Sequence, residues 1–87
     1  MAVVWIPSMM RDLTAGRDRV LAPGATVAEV IDELEAAYPG IKERLLVRGR
    51  LGPGLMVTVD GQRALRGLQE QVGGESEVRF LPAMAGG

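Results

Sequence analysis

The 87-residue chain contains no cysteine and no histidine. That excludes disulfides, thiolate nucleophiles, imidazole general bases and zinc sites built on those side chains, and most small-enzyme mechanisms go with them. Aromatic residues are scarce, at 3% against a hydrophobic content of 47%, so the core has to be aliphatic. Val, Leu and Ile supply 23 residues for it. Charge of one sign is also missing: ten Lys+Arg against eleven Asp+Glu leave a net charge of -1. Affinity for nucleic acid that rests on neutralising phosphates is therefore not expected. Long apolar runs are absent as well. The longest stretch without a charged side chain, Met1 to Met10, falls short of the roughly 20 residues that span a bilayer and lacks the basic start of a signal sequence. These absences lead to one small, soluble, cytoplasmic domain without nucleic-acid or membrane partners. At this size it buries roughly 60–65% of its unfolded surface and folds without a metal or disulfide staple.

What is present organises the chain. Val3 to Ile6 is a β-branched apolar run ended by Pro7, and Asp18 to Leu21 resumes with alternating character, so the two read as a hairpin around a loop. The clearest element is a helix over 27–38. Thr26 can cap it, Glu29 can complete a capping box, and Pro39-Gly40 stops it. Val27, Val30, Ile31, Leu34 and Tyr38 form one apolar stripe, while Glu29, Asp32, Glu33 and Glu35 face water. Residues 41–47 suit a further helical turn with Ile41 and Leu45 inward, and 48–54 read as a mobile loop. Leu55 to Val59 alternates like a half-buried strand, Asp60-Gly61 signals a hairpin turn, and 62–64 return from it. After an irregular stretch, Glu77 to Leu81 makes a last strand with Val78 and Phe80 on one face. The order strand, strand, helix, then two or three strands is α+β. If the last strand pairs beside the first, the pair is parallel and the helix supplies the crossover. That arrangement is a β-grasp, the ubiquitin-like fold, with a mixed four- to five-stranded sheet covered on one face by one main helix. The domain is expected over 1–81, with a flexible tail over 82–87.

The tail, Pro82-Ala83-Met84-Ala85-Gly86-Gly87, carries no charged or hydrogen-bonding side chain. Two glycines leave an extended chain free to enter a narrow channel. Chemistry that would use it starts at the main-chain carboxylate, a poor electrophile until it is joined to AMP as a mixed anhydride. Glycine leaves that carbonyl unhindered, and attack by sulfide or a persulfide yields a thiocarboxylate. Nothing in the chain could run those steps, so the catalytic groups would belong to partners. The ending, together with Ile6-Pro7 and the segment from Asp32-Glu33-Leu34-Glu35 through Pro39-Gly40-Ile41-Lys42-Glu43-Arg44-Leu45, resembles the MoaD/ThiS family of ubiquitin-like sulfur carriers over essentially the whole chain. Within it the likeness is strongest to the cysteine-biosynthesis branch. Many molybdopterin-branch members carry a second proline where this chain has Ala83.

The resemblance implies a carrier rather than an enzyme, with no bound cofactor. An E1-like adenylyltransferase of the MoeB/ThiF type would use ATP to adenylate Gly87, and a sulfur donor would convert it to the thiocarboxylate. A pyridoxal-phosphate-dependent cysteine synthase would take the sulfur on its aminoacrylate, and a metalloprotease would remove the added cysteine. Gly87 is then the covalent site, and Ala83, Met84, Ala85 and Gly86 the segment threaded into the partner's active site. The alternatives are the small subunit of molybdopterin synthase, a thiamine-type sulfur carrier, or a ubiquitin-like protein modifier, for which Lys42, the only lysine, would be a single internal acceptor. The outward sheet face is expected to show Met56, Thr58, Arg79 and Leu81 as a partner surface. Met9 and Met10 suit core gap-filling. Arg44, Arg48 and Arg50 read as solvated surface, and the acidic helix face as solubility and capping rather than a metal site.

Overall fold

Period-2 burial sets the first two strands. In the computed structural model, which describes residues 1–83, β1 (Ala2–Trp5) turns Ala2 and Val4 inward and β2 (Arg19–Ala22) turns Val20 and Ala22 inward. They pair antiparallel from Ala2 opposite Ala22 to Trp5 opposite Arg19. The loop between them contains a 3₁₀ turn at Ser8–Met10 that drives Met10 into the core and leaves its neighbour Met9 66% exposed. Gap filling therefore falls to one methionine of the pair.

The helix α1 (Val27–Ala37) begins as its capping signals require. Thr26 Oγ1 accepts from Glu29 N–H at 3.2 Å, and Glu29 Oε1 accepts in return from Ala25 N–H at 3.0 Å. The cap is worth about 1 kcal/mol. Burial of the stripe outweighs it: Val27, Val30, Ile31 and Leu34 are at most 1% exposed, each worth roughly 1.5–3 kcal/mol. Gly40, at φ +102, supplies the left-handed exit that leads into α2 (Ile41–Leu45). Ile41 and Leu45 enter the core from it.

The segment 48–54, expected to be a mobile loop, is instead largely a hairpin. β3 (Leu46–Val47) and β4 (Arg50–Leu51) pair antiparallel around Arg48 at φ +54 and Gly49 at φ +77. Two successive positive φ values make the type I′ turn that matches strand twist. Gly52 N–H then donates to Leu45 O at 2.8 Å and closes the loop onto α2.

β5 (Leu55–Val59) turns through Asp60 and Gly61, both with positive φ, into the two-residue β6 (Gln62–Arg63). β7 (Glu77–Pro82) lies between β5, to which it is antiparallel, and β1, to which it is parallel. The sheet order is β2-β1-β7-β5-β6, a mixed five-stranded β-grasp with α1 on one face. Val4, Val57, Val78 and Phe80 meet α1 from the sheet side, all buried. The strand β7 runs one residue beyond the expected end of the domain at 81. No helix among the described residues is long and apolar enough to cross a membrane.

Candidate functional site

The uncovered sheet face follows from the register. Val3 and Trp5 of β1, Arg19 and Leu21 of β2, Met56 and Thr58 of β5, Arg63 of β6, and Glu77, Arg79 and Leu81 of β7 point away from α1. Four pairings place five of them in a single line across the sheet: Arg19 opposite Trp5, Trp5 opposite Arg79, Arg79 opposite Thr58, and Thr58 opposite Arg63. Trp5 is the hub of that line. The Arg79 guanidinium lies 4.3 Å from its ring centroid and that of Arg19 5.5 Å, within cation–π range. Its Nε1–H donates to Glu77 Oε1 at 2.9 Å, and the same oxygen meets Arg79 at 3.5 Å.

Of the four residues expected to form a partner surface, the structure puts all four on this face but exposes them unequally. Leu81 is 37% exposed, Met56 and Arg79 are half-buried, and Thr58 is 8% exposed. Thr58 sits directly between two arginines, whose longer side chains flank it. Its hydroxyl is buried without a hydrogen-bond partner. Leu81 opposes Met56 one step along the strands, an apolar pair on the side toward which β7 leaves the sheet. Near the opposite edge, a shallow depression of about 370 Å³ is lined by Val3, Arg17, Arg19, Val20 and Leu21. Trp5, Arg19, Arg63 and Glu77 escaped the sequence reading. Alternation within each strand points them outward, but only the register brings them together.

The start of β7 is pinned by Asp60. Its carboxylate accepts from Glu77 N–H at 2.9 Å and from Ser76 Oγ at 2.8 Å, and these bonds hold its pKa below the ordinary carboxylate value. The end of β7 is set by a different device. Ala83 N–H donates to Gly54 O at 2.7 Å, and counting back along the antiparallel ladder puts Pro82, opposite Leu55, at a position that needs no donor. Ala83, assigned to the threading segment, is thus tied to the body by its backbone. Met84, Ala85, Gly86 and Gly87 lie outside the described residues.

Away from the sheet, Arg44 makes a two-pronged pair with Asp12 at 2.9 and 3.0 Å and donates to Met9 O. That arginine lowers the Asp12 pKa and clamps the first loop to α2. Lys42 Nζ lies 2.6 Å from Asp32 Oδ1, which raises the lysine pKa. Glu35 accepts backbone N–H bonds from Lys42 and Gly40, which lower its pKa. Of the acidic side chains of α1, Glu29 serves the cap, Asp32 an ion pair and Glu35 a turn, and the described residues include no cluster of three or more carboxylates placed to hold a metal.

Residues 4–87 match the ThiS family. The chain belongs to the ThiS family. This ThiS-family chain is 37% identical over 89 aligned positions to the sulfur carrier protein CysO of Mycobacterium tuberculosis, covering 97% of this chain and 96% of that one. Its structure is similar to that of a CysO from Amycolatopsis orientalis solved in complex with BexX, with a TM-score of 0.91, 37% identity and full coverage of both chains. It is also similar to the small archaeal modifier protein 1 of Haloferax volcanii, at a TM-score of 0.73 and 26% identity, covering 99% of this chain and 98% of that one. These matches span the whole β-grasp, so the expected fold and family hold together.

Proposed function

We propose that this ThiS-family chain is a sulfur carrier whose Gly87 carboxylate is activated and converted to a thiocarboxylate, with the sulfur delivered for cysteine biosynthesis. The observation that carries the reading is the family match reaching through Gly86 and Gly87, on a chain similar over its whole length to proteins named as sulfur carriers. In the activating step a carboxylate oxygen attacks the α-phosphorus of ATP and pyrophosphate leaves. Sulfide then attacks the acyl carbon, AMP departs with that oxygen, and the thiocarboxylate remains. An E1-like adenylyltransferase supplies the first reaction, since this chain has no histidine or cysteine to do so. A pyridoxal-phosphate-dependent cysteine synthase and a metalloprotease complete the cycle. The partners meet the chain through the tail from Ala83 to Gly87 and through the face of Met56, Arg79 and Leu81, with Thr58 beneath.

Intact-mass measurement after incubation with ATP, sulfide and an E1-like enzyme tests this reading. One oxygen replaced by sulfur adds about 16 Da, an increment that follows from the exchange at an activated acyl group. Deletion of Gly87 abolishes the gain if the reading holds. An unchanged wild-type mass with every such enzyme tried would overturn it.

The likeness to an archaeal modifier favours a second reading, a ubiquitin-like protein modifier. Self-conjugation would fall on Lys42, whose ammonium Asp32 holds protonated and so less nucleophilic. Immunoblots showing a ladder of heavier conjugates that disappears with Gly87 would favour this reading over the first.

A further inference from the structure

We infer that the open edge of β2 takes an added strand from a partner protein, an extended segment that turns one aliphatic and two acidic side chains toward the outer side of the sheet. The inference goes beyond the sulfur-carrier reading and does not rest on it, since neither Gly87 nor an activating enzyme enters it.

The open edge follows from the phase of the first ladder. Ile6 N–H donates to Asp18 O at 2.8 Å, and hydrogen-bonded pairs alternate along an antiparallel ladder, so Asp18, Val20 and Ala22 turn their backbone groups to β1. Arg19 and Leu21 turn theirs the other way. β2 is the first strand of the sheet, and among the described residues no bond outside the β1–β2 ladder engages the N–H or C=O of either residue. A strand laid about 4.8 Å away meets two donors and two acceptors at ladder spacing. Arg17 N–H and O are already used by Thr14, and Pro23 has no N–H. The open stretch is thus bounded at both ends.

Side chains say what kind of strand fits. Arg19 and Leu21 point to the outer side of β2 and are exposed, and with Arg17, Val3 and Val20 they line the depression of about 370 Å³ at this edge. Leu21 is 64% exposed, an aliphatic side chain beside an open edge, where a protein that only guards the edge places charge. Arg17 is exposed and makes no ion pair among the described residues. Arg19 has only the Trp5 ring, at 5.5 Å. Of the nearby acidic groups, Asp18 alternates to the other side of β2 with Val20, and Glu77 is bonded to Trp5. An incoming residue paired with Leu21 therefore meets an apolar notch, and those at the next two outward positions meet Arg19 and then Arg17. The complementary segment reads aliphatic-x-acidic-x-acidic when antiparallel to β2 and the reverse when parallel.

A second copy of this chain fits worse. Its own β2 brings Arg17 and Arg19 to the same ridge, and its other sheet edge, β6, offers Gln62 and Arg63. Neither edge supplies an outward carboxylate, and like charges facing one another across strands are destabilising. Position also leaves the tail clear. Leu21 is level with Glu77 through Val3, and β1 separates β2 from β7, so a segment on this edge does not cover the point where the chain leaves the sheet after Pro82.

Amide hydrogen exchange read by nuclear magnetic resonance tests the inference, with the blocked peptide Thr-Val-Thr-Glu-Thr-Glu-Thr as the probe. In the free protein the Arg19 and Leu21 amides should exchange readily while those of Val20 and Ala22 are protected. Peptide at about ten times its dissociation constant should slow the Arg19 and Leu21 amides about 10-fold by mass action. The same peptide N-methylated at its valine and first glutamate keeps every side chain and loses the donors that face β2, so it should slow neither; equal slowing by both peptides would refute strand addition. Arg17→Gln combined with Arg19→Gln changes two exposed side chains and should weaken the peptide about 3- to 10-fold, and unchanged affinity would refute the acidic assignment. Concentration-dependent dimerisation that protects the Arg19 and Leu21 amides without peptide would overturn the partner in favour of a second copy. No slowing at any soluble peptide concentration would overturn the proposal itself. None of these measurements uses ATP or an activating enzyme, so the result stands whether or not Gly87 can be loaded with sulfur.

Discussion

Replacing Gly24 by alanine tests how closely α1 is laid on the sheet. Gly24 joins β2 to the helix at φ +147, and a Cβ there would stand 2.8 Å from Val30 N, 2.9 Å from Val30 Cγ2 and 3.1 Å from Glu29 C. Two of those atoms are backbone of the first helical turn, which Thr26 caps and whose Val27 and Val30 are fully buried, so neither side can yield cheaply. Backbone strain at a sparsely populated φ costs roughly 1–3 kcal/mol and overpacking roughly 1–3 more; about 3 kcal/mol in all is expected. Unfolding entropy near 2.1 cal/mol/K per residue gives about 0.18 kcal/mol/K for this chain, so the melting temperature should fall by about 15 °C. Gly16→Ala is the matched control. Gly16 has φ +82 with nothing within 4 Å of its added Cβ, so strain alone acts, roughly 1 kcal/mol, or about 5 °C. Thermal unfolding followed by far-ultraviolet circular dichroism measures both. Equal shifts for the two variants, or a Gly24→Ala shift under about 5 °C, would refute the close approach.

Two further predictions address the core and the acid limb. Val30 is 0% exposed, so Val30→Asp places an unpaired charge in an aliphatic interior and should cost more than about 4 kcal/mol, enough to erase most of the helical signal at 37 °C; a melting temperature within a few degrees of wild type would contradict this. Asp60 and Glu35 both have folded pKa values below their ordinary ones, through bonds from Glu77 N–H and Ser76 Oγ in the first case and Lys42 N–H and Gly40 N–H in the second. Each therefore contributes stability that is complete above the unfolded carboxylate pKa and is lost as pH falls through the folded value. Urea midpoints should drop below pH 4 or so, and more shallowly in Asp60→Asn; an identical acid limb in that variant would show that the hydrogen bonds at Asp60 are not its source.

The elements that the sequence makes legible are those whose signals are local. Thr26, Glu29 and Pro39-Gly40 mark the ends of α1 because capping and breaking act within a few residues, and the stripe from Val27 to Leu34 shows which side is buried. Asp60-Gly61 is readable because both residue types tolerate positive φ. The β3–β4 hairpin is not, since its turn uses Arg48 at φ +54, a residue with no preference for that conformation, held there by pairing on either side. The candidate site divides along the same line. Alternation puts Met56, Arg79 and Leu81 on the outer face, but the burial of Thr58 depends on which residues flank it. Those are Arg79 and Arg63, fixed by the registers of β5 with β7 and with β6. Trp5 acquires its role through Arg79, 74 positions away.

Proline in a central strand normally argues against the assignment, yet Pro82 closes β7, and the way it does so bears on the tail. The bond from Ala83 N–H to Gly54 O fixes the phase of the β5 ladder, so Pro82 falls at a position where β5 needs no donor from it. On its other side the last pair with β1 is Trp5 with Arg79, and no strand remains there to miss the N–H. From Leu81 onward β7 is therefore held by β5 alone. Releasing the chain after Leu81 breaks the Ala83 bond and leaves the Leu81–Met56 pair in place, a cost of roughly 0.5–1.5 kcal/mol net. An enzyme that binds the tail in an extended channel can replace that bond with one of its own. The same strand carries Val78 and Phe80 into the core, so its first half cannot follow. Strand β7 thus divides near Leu81 into a half that the fold requires and a half that a partner can take.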